Sequence, residues 1–217
     1  IGTHLGGLNK LDIRTGTFTH YLMEEGNPET LPSNIVRDIA PYQDQLIVAT
    51  QNGVCLFNPQ TGKCQQLFKD SKEGRKIAMV ADVEVDNSGT LWIAATGEGI
   101  FSYRFDTNKL TNYRHDGTQA HSLSNNNVNN IMQDSKGNLW FSTSGSGLDL
   151  YRSATNDFEN FDKGKNGLVS DCIYDTQESP VSGKLILITN QGFSIFDQKV
   201  EKFQNYLSLI HISEPTR

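Results

Sequence analysis

The chain is 217 residues long and carries 25 acidic against 19 basic side chains, a formal net charge of -6. That balance offers no basic stripe for a phosphate backbone and argues against direct nucleic-acid contact by this segment. Hydrophobic residues make up 36% with 19 glycines, and no apolar run approaches the roughly 18 residues of a membrane span, so the composition points to a β-rich fold.

In chain order, residues 1–21 read as the outer half of a repeat unit: Gly7 to Tyr21 matches only the third and fourth strands of the later copies, so the first two strands are expected upstream. No charged segment followed by an apolar one precedes it, and no signal peptide is visible. A polar loop with Pro28 and Pro32 then leads into a first full unit, 22–68. Units at 69–113, 114–161 and 162–206 follow, and 207–217 is expected to be a non-repeat tail, adapter-like and outside the fold.

The clearest copy runs from Leu123 to Tyr151. It predicts strands over Val128 to Gln133, Leu139 to Thr143 and Leu148 to Tyr151, with turns at Asp134 to Gly137 and at Gly145-Ser146-Gly147. The Leu opening the second strand recurs as Leu46, Leu91, Leu139 and Leu185, at steps of 45, 48 and 46 residues. A turn glycine recurs as Gly53, Gly99, Gly147 and Gly192. Third strands end in Phe57, Tyr103, Tyr151 and Phe196, and fourth strands in Phe68, Tyr113, Phe161 and Tyr206. Four strands in such a period make a β-propeller blade.

The Asp-x-x-Gly turns at Asp86 and Asp134 place a carboxylate where it caps the turn's own amides and a glycine where φ is positive. Trp92 and Trp140 share one place in the second strand. An aromatic row invites a sugar-stacking role, but a wide side chain in a middle strand packs one blade on the next, and Ile47 and Ile186 stand there in the other blades. Cys55, Cys64 and Cys172 show no metal-ligand spacing. Cys55 and Cys64 lie on neighbouring strands of one hairpin, where register decides between buried free thiols and a disulfide.

Leu123-Ser124-Asn125, followed by Val128, Ile131, Asp134, Gly137, Leu139-Trp140, Thr143, Gly147-Leu148 and Tyr151, resembles the two-component regulator propeller repeat, and the likeness extends from Gly7 to Tyr206. Leu31-Pro32-Ser33-Asn34 and Leu168-Val169-Ser170-Asp171 repeat its opening motif. The resemblance implies an all-β propeller of four-stranded antiparallel blades, here an incomplete run of about four and a half. It also implies the periplasmic sensor region of a hybrid two-component histidine kinase of Bacteroidetes type. In that family paired seven-bladed propellers recognise oligosaccharides and signal through a β-sandwich, a transmembrane helix and a kinase. Partners implied are therefore an oligosaccharide, the remaining blades and downstream domains, and a second copy in a homodimer, with membrane attachment only through a helix outside this segment.

In a propeller, the loops leading into the first strands and the turns between second and third strands share one face, where ligands bind. The candidates there are Asn34, Arg37, Glu98, Asn126, Asn129, Ser146, Asp171 and Tyr174, whose donors and acceptors suit sugar hydroxyls. Asn34, Asn126 and Asp171 occupy one repeat position with an obvious turn role. Arg37, Asn129 and Tyr174 follow the same apolar residue in their blades and yet vary, with Ala81 in that place in the second blade. No cofactor and no metal is indicated. The five His residues do not recur at a repeat position, and a Glu98 and Asp82 carboxylate pair is the available route to glycan cleavage. A protein-interaction scaffold and a glycan lyase or glycosidase are the alternatives to a sensor.

Overall fold

The computed structural model describes residues 1–207. It is all-β apart from a 3-10 turn at Gly74–Lys76 and the short helix α1 (Lys163–Asn166). A two-stranded sheet, β1 (Leu8–Asp12) and β2 (Thr17–Tyr21), is followed by four sheets of four antiparallel strands. Blade one comprises β3 (Val36–Tyr42), β4 (Gln45–Thr50), β5 (Gly53–Phe57) and β6 (Cys64–Gln66). Blade two comprises β7 (Val80–Val85), β8 (Thr90–Ala95), β9 (Gly99–Arg104) and β10 (Lys109–Tyr113). Blade three comprises β11 (Val128–Gln133), β12 (Leu139–Thr143), β13 (Leu148–Arg152) and β14 (Asp157–Phe161). Blade four comprises β15 (Ile173–Glu178), β16 (Leu185–Thr189), β17 (Gly192–Asp197) and β18 (Lys202–Leu207).

Each sheet is a simple meander, and successive blades place their first strands, β3, β7, β11 and β15, side by side. The result is an open run of propeller blades, as the repeat period requires. Two ends differ from the sequence reading. β6 stops at Gln66, because Phe68 takes a left-handed φ of 64° and leaves the sheet. Leu207, expected to start the tail, instead pairs with Gly192 and closes β18; residues 208–217 lie outside the described residues.

The core lies between blades rather than within one. Trp92, Ala94 and Ile100 of blade two pack on Val128, Ile131, Leu139 and Phe141 of blade three. Trp140, Leu148 and Phe161 of blade three pack likewise on Ile173, Leu185, Leu187 and Phe196 of blade four. Both tryptophans are only 3% exposed, so they are packing residues. Each is also tied to its blade's turn. Trp92 Nε1 donates to Asp86 Oδ2 at 2.8 Å and Trp140 Nε1 to Asp134 Oδ2 at 3.0 Å. The other oxygen of Asp134 accepts from the Lys136 and Asn138 amides at 3.0 and 2.8 Å. Partial burial pushes the Asp134 carboxyl up, but bonds from Trp140 and Asn138 outweigh it and hold the group below the usual carboxylate range.

The inner strands are edges of their sheets, and an edge leaves N–H groups without a ladder partner. A side chain from the preceding blade supplies the acceptor. Asp38 Oδ2 accepts from the Val83 amide at 3.2 Å, Asp82 Oδ2 from Ile131 at 2.6 Å, and Asn130 Oδ1 from Thr176 at 3.1 Å. These residues share one repeat position, so the staple runs from blade to blade with either carboxylate or amide. Burial, and then the neighbouring Asp38 carboxylate, push the Asp82 carboxyl well above the usual range.

Two stability predictions follow from these contacts. Asp134→Ala strands the Trp140 indole N–H and two turn amides, and is expected to cost about 2–4 kcal/mol in urea unfolding; a cost under about 0.5 kcal/mol would show the cap to be idle. For Asp82 the folded pKa is raised, so the folded chain binds the extra proton and stability falls as pH rises from the ordinary carboxylate range through the folded pKa. Asp82→Asn copies the staple of blade three without the charge. It is expected to flatten that fall and to gain about 1–2 kcal/mol above neutral pH; an unchanged pH profile in urea melts would remove Asp82 as its source.

Candidate functional site

The loops leading into β3, β7, β11 and β15 and the turns between second and third strands do share one face, here termed the upper face. They are joined there by backbone bonds: the Gly53, Gly99 and Gly147 amides donate to the carbonyls of Ala78, Asn126 and Asp171 at 2.8, 3.0 and 2.9 Å. Gly99 and Gly147 hold φ of 81° and 84°, and a Cβ on either would lie within 2.2 Å of a backbone oxygen of the fourth strand. That close approach explains the glycine's recurrence.

Asn34, Asn126 and Asp171 act on the loops. Their Oδ1 atoms accept from the amides of Met23, His115 and Lys163 at 2.7, 2.8 and 2.6 Å. Each thus closes the connection arriving from the previous blade. Ser146 is engaged in a turn, its amide donating to Thr143 Oγ1 at 3.0 Å and its Oγ accepting from Asn125 Nδ2 at 3.2 Å. Glu98 forms an ion pair with Arg114, whose guanidinium also donates to the Gly97 carbonyl at 3.3 Å.

Arg37, Asn129 and Tyr174 prove to share a structural cause. In each blade the pairing of the first two strands skips one residue: Val36 pairs with Thr50 and Asp38 with Ala49, and the same shift passes over Ala81, Asn129 and Tyr174. The four are the extra residues of a β-bulge repeated at the upper end of every inner strand. Arg37 is exposed and Tyr174 is 55% exposed. Asn129 is half-buried and donates to the Ile173 carbonyl of the next blade at 2.7 Å.

The sequence reading did not identify a groove of about 630 Å³ on this face beside blade one. Glu24, Glu25, Asn27 and Asn52 line it together with Lys69 and Arg75. The wall at 22–33 is fixed by Thr30, whose Oγ1 accepts from the Glu24 amide at 3.1 Å, by a 2.7 Å ion pair between Lys63 and Glu29, and by the Cys64 amide donating to the Glu29 carbonyl at 2.8 Å. The available signal was the length of the two connectors flanking blade one, since long loops in compact repeats tend to carry function.

Acidic groups continue down the inner strands. Burial, then Asp38 and Asp86, push the Glu84 carboxyl up to about 7. On β13 burial pushes Asp149 up to about 6, although it accepts from the Ser124 amide and hydroxyl at 2.9 and 2.8 Å. Asp82 and Glu98 belong to separate networks, the first with Asp38 and the Ile131 amide, the second with Arg114. Among the described residues, no group of three His, Cys, Asp or Glu side chains is placed to hold a metal ion, and no helix is long and apolar enough to cross a membrane.

Comparison with known proteins agrees with this architecture. The model of the two component regulator propeller family matches residues 122–145, and that of the SMP-30/Gluconolactonase/LRE-like region matches 6–121, more than half the chain. No curated protein matches the sequence significantly. Among solved structures, the extracellular domain of a protein described as a hybrid two component system, BT3049 of B. thetaiotaomicron, superposes with a TM-score of 0.80 at 23% identity. The alignment covers 95% of this chain and 26% of that one, so the chain spans about a quarter of its length. A catalytically inactive virginiamycin B lyase from Staphylococcus aureus, solved with quinupristin, gives a TM-score of 0.63 at 12% identity over 93% of this chain and 62% of the lyase. At these identities the structural likeness establishes the propeller fold. With the blade period and the stapled inner strands, the chain belongs to the SMP-30/Gluconolactonase/LRE-like region family through 6–121, and its third blade is similar to the two component regulator propeller repeat.

Proposed function

We propose that this segment is the ligand-sensing part of a two-component receptor, and that it binds an oligosaccharide on its upper face and biases a distant histidine kinase. The observation that carries the reading is the repeated bulge. It releases one residue per blade from ladder pairing at the rim of the inner strands, and those residues are Arg, Ala, Asn and Tyr rather than one repeated type. A guanidinium, an amide and a phenol supply donors, an acceptor and an aromatic face, which is what a ring of sugar hydroxyls and its apolar side require. The neighbouring groove offers carboxylates and cations in a volume suited to a small oligosaccharide.

In this reading the segment is extracytoplasmic and periplasmic, works with further blades and domains of the same polypeptide, and signals as a homodimer in which ligand shifts the relation between propellers. The roles of Asn34, Asn126, Asp171 and Ser146 in loop closure make them supports for the site, while Arg37, Asn129 and Tyr174 are the contacts. The SMP-30/Gluconolactonase/LRE-like family match favours a second reading, an enzyme. The separate networks of Glu98 and Asp82 support binding over cleavage by a carboxylate pair.

Calorimetric titration of the chain with a panel of plant, fungal and host oligosaccharides tests this. One glycan is expected to give a saturable heat, weakened at least about tenfold by Arg37→Ala or Tyr174→Ala. Silence across the panel from folded protein would turn the reading to a protein-interaction scaffold, and turnover of any glycan would turn it to an enzyme.

A further inference from the structure

We infer that Cys55 and Cys64 are a disulfide-forming pair, a modification site that ties the outermost strand of blade one to its neighbour. Their Sγ atoms are 3.2 Å apart, with the Cys55 thiol donating to Cys64. The register explains the approach: Phe57 pairs with Cys64 and Cys55 with Gln66, so the two cysteines lie diagonally on one side of the β5–β6 hairpin. Both are buried, 0% and 6% exposed, in a cluster with Leu8, Leu31, Val48 and Phe57. Closing the gap to the covalent length of about 2.0 Å needs a small rotation of side chains already facing each other. Cys172 sits on blade four's lead-in, bridged to Ser144, and is the unpaired control.

The bond has a structural task. β6 is three residues long where the other fourth strands have five or six. Its first amide, that of Cys64, holds the Glu29 carbonyl and with it the wall of the groove on the upper face. A disulfide here secures a weakly paired strand and the loop hung from it. This holds whatever ligand the groove takes, so it stands apart from the sensor reading.

The oxidant is a small disulfide. Cys64, the less buried thiol, loses its proton and attacks one sulfur of oxidised glutathione, forming a mixed disulfide and expelling one glutathione thiolate. Cys55 then loses its proton and attacks the Cys64 sulfur, expelling the second glutathione. The protein loses two protons and two electrons, and the oxidant becomes two thiols. The hydrogen bond to Cys64 and burial both push the Cys55 thiol up, which leaves the first attack to Cys64, and proximity favours the second step.

The chain, purified reduced, is incubated with oxidised glutathione, quenched with acid and alkylated in denaturant for intact-mass and peptide mapping. We expect loss of two thiols together, a mass lower by two hydrogens apart from any adduct on Cys172, and a Cys55–Cys64 linked peptide. The thermal midpoint should rise by about 5 °C and fall again with dithiothreitol. Cys64→Ala should abolish the link; the wild-type peptide map decides the matter even if that variant folds poorly. Alkylation of both Cys55 and Cys64 after prolonged oxidation, glutathione left on either, or a link to Cys172 would overturn the assignment.

Discussion

An inner strand of this fold has one paired edge and one open edge, and the arrangement of blades depends on what satisfies the open one. Water could do so in an isolated sheet. Here the neighbouring blade approaches too closely, and the acceptor is a side chain: Asp38 for Val83, Asp82 for Ile131, Asn130 for Thr176. The bulge makes this geometry available. By inserting one residue after Val36, Val80, Val128 and Ile173, it increases the local twist and re-aims the residue that follows toward the next blade. The staple and the free bulge residue are two consequences of a single irregularity.

The same repeat therefore contains positions that are fixed and positions that are not. In blades two and three the turn carboxylate, the indole it accepts from and the glycine pressed on the fourth strand go together, each held by close partners. Blade one shows what happens without the carboxylate and the indole. With Ile47 in place of Trp, the hairpin tightens to a two-residue turn at Gln43 and Asp44, Gln43 takes a φ of 54°, and Tyr42 stacks on Phe105 of blade two with centroids 4.2 Å apart. An aromatic contact at the turn takes over the inter-blade packing that the tryptophan performs elsewhere.

Much of this was legible in the residues. The recurrence of Leu46, Leu91, Leu139 and Leu185 with Gly53, Gly99, Gly147 and Gly192 places strands and turns, because pairing register and close backbone approach tolerate little substitution. Arg37, Asn129 and Tyr174 stand out as variable beside a neighbour that is always β-branched and apolar (Val36, Val128, Ile173), but the bulge itself was hidden, since a skipped pairing leaves no mark in a single strand's pattern. The departure of Phe68 from its strand was also hidden: an aromatic at the repeat position reads as pairing, whereas here it turns out of the sheet to meet Tyr103 edge-on at 4.8 Å. The groove could not be read because it is formed by two connectors distant in sequence.

Blade four shows how far a blade depends on the one after it. Ile188, Phe193 and Tyr206 stand where blade two has Ala94, Ile100 and Tyr113 and blade three has Ser142, Leu148 and Phe161, all turned toward the following blade. In blade four they are 42%, 37% and 39% exposed, and Phe193 stacks on Tyr206 at 4.6 Å. Asp175, in the staple position, accepts from Gln177 of its own strand at 3.2 Å. A blade thus carries half of each of two cores, and its free energy is largely that of its interfaces. The bulge residue is freer: it does not pair across the sheet, and while Ala81 packs on the core between blades two and three and Asn129 bonds the Ile173 carbonyl, Arg37 and Tyr174 are exposed. Variation at Arg37 and Tyr174 therefore changes the chemistry of the upper face while leaving the stack intact, and that is the physical reason the repeat can present a different surface from blade to blade.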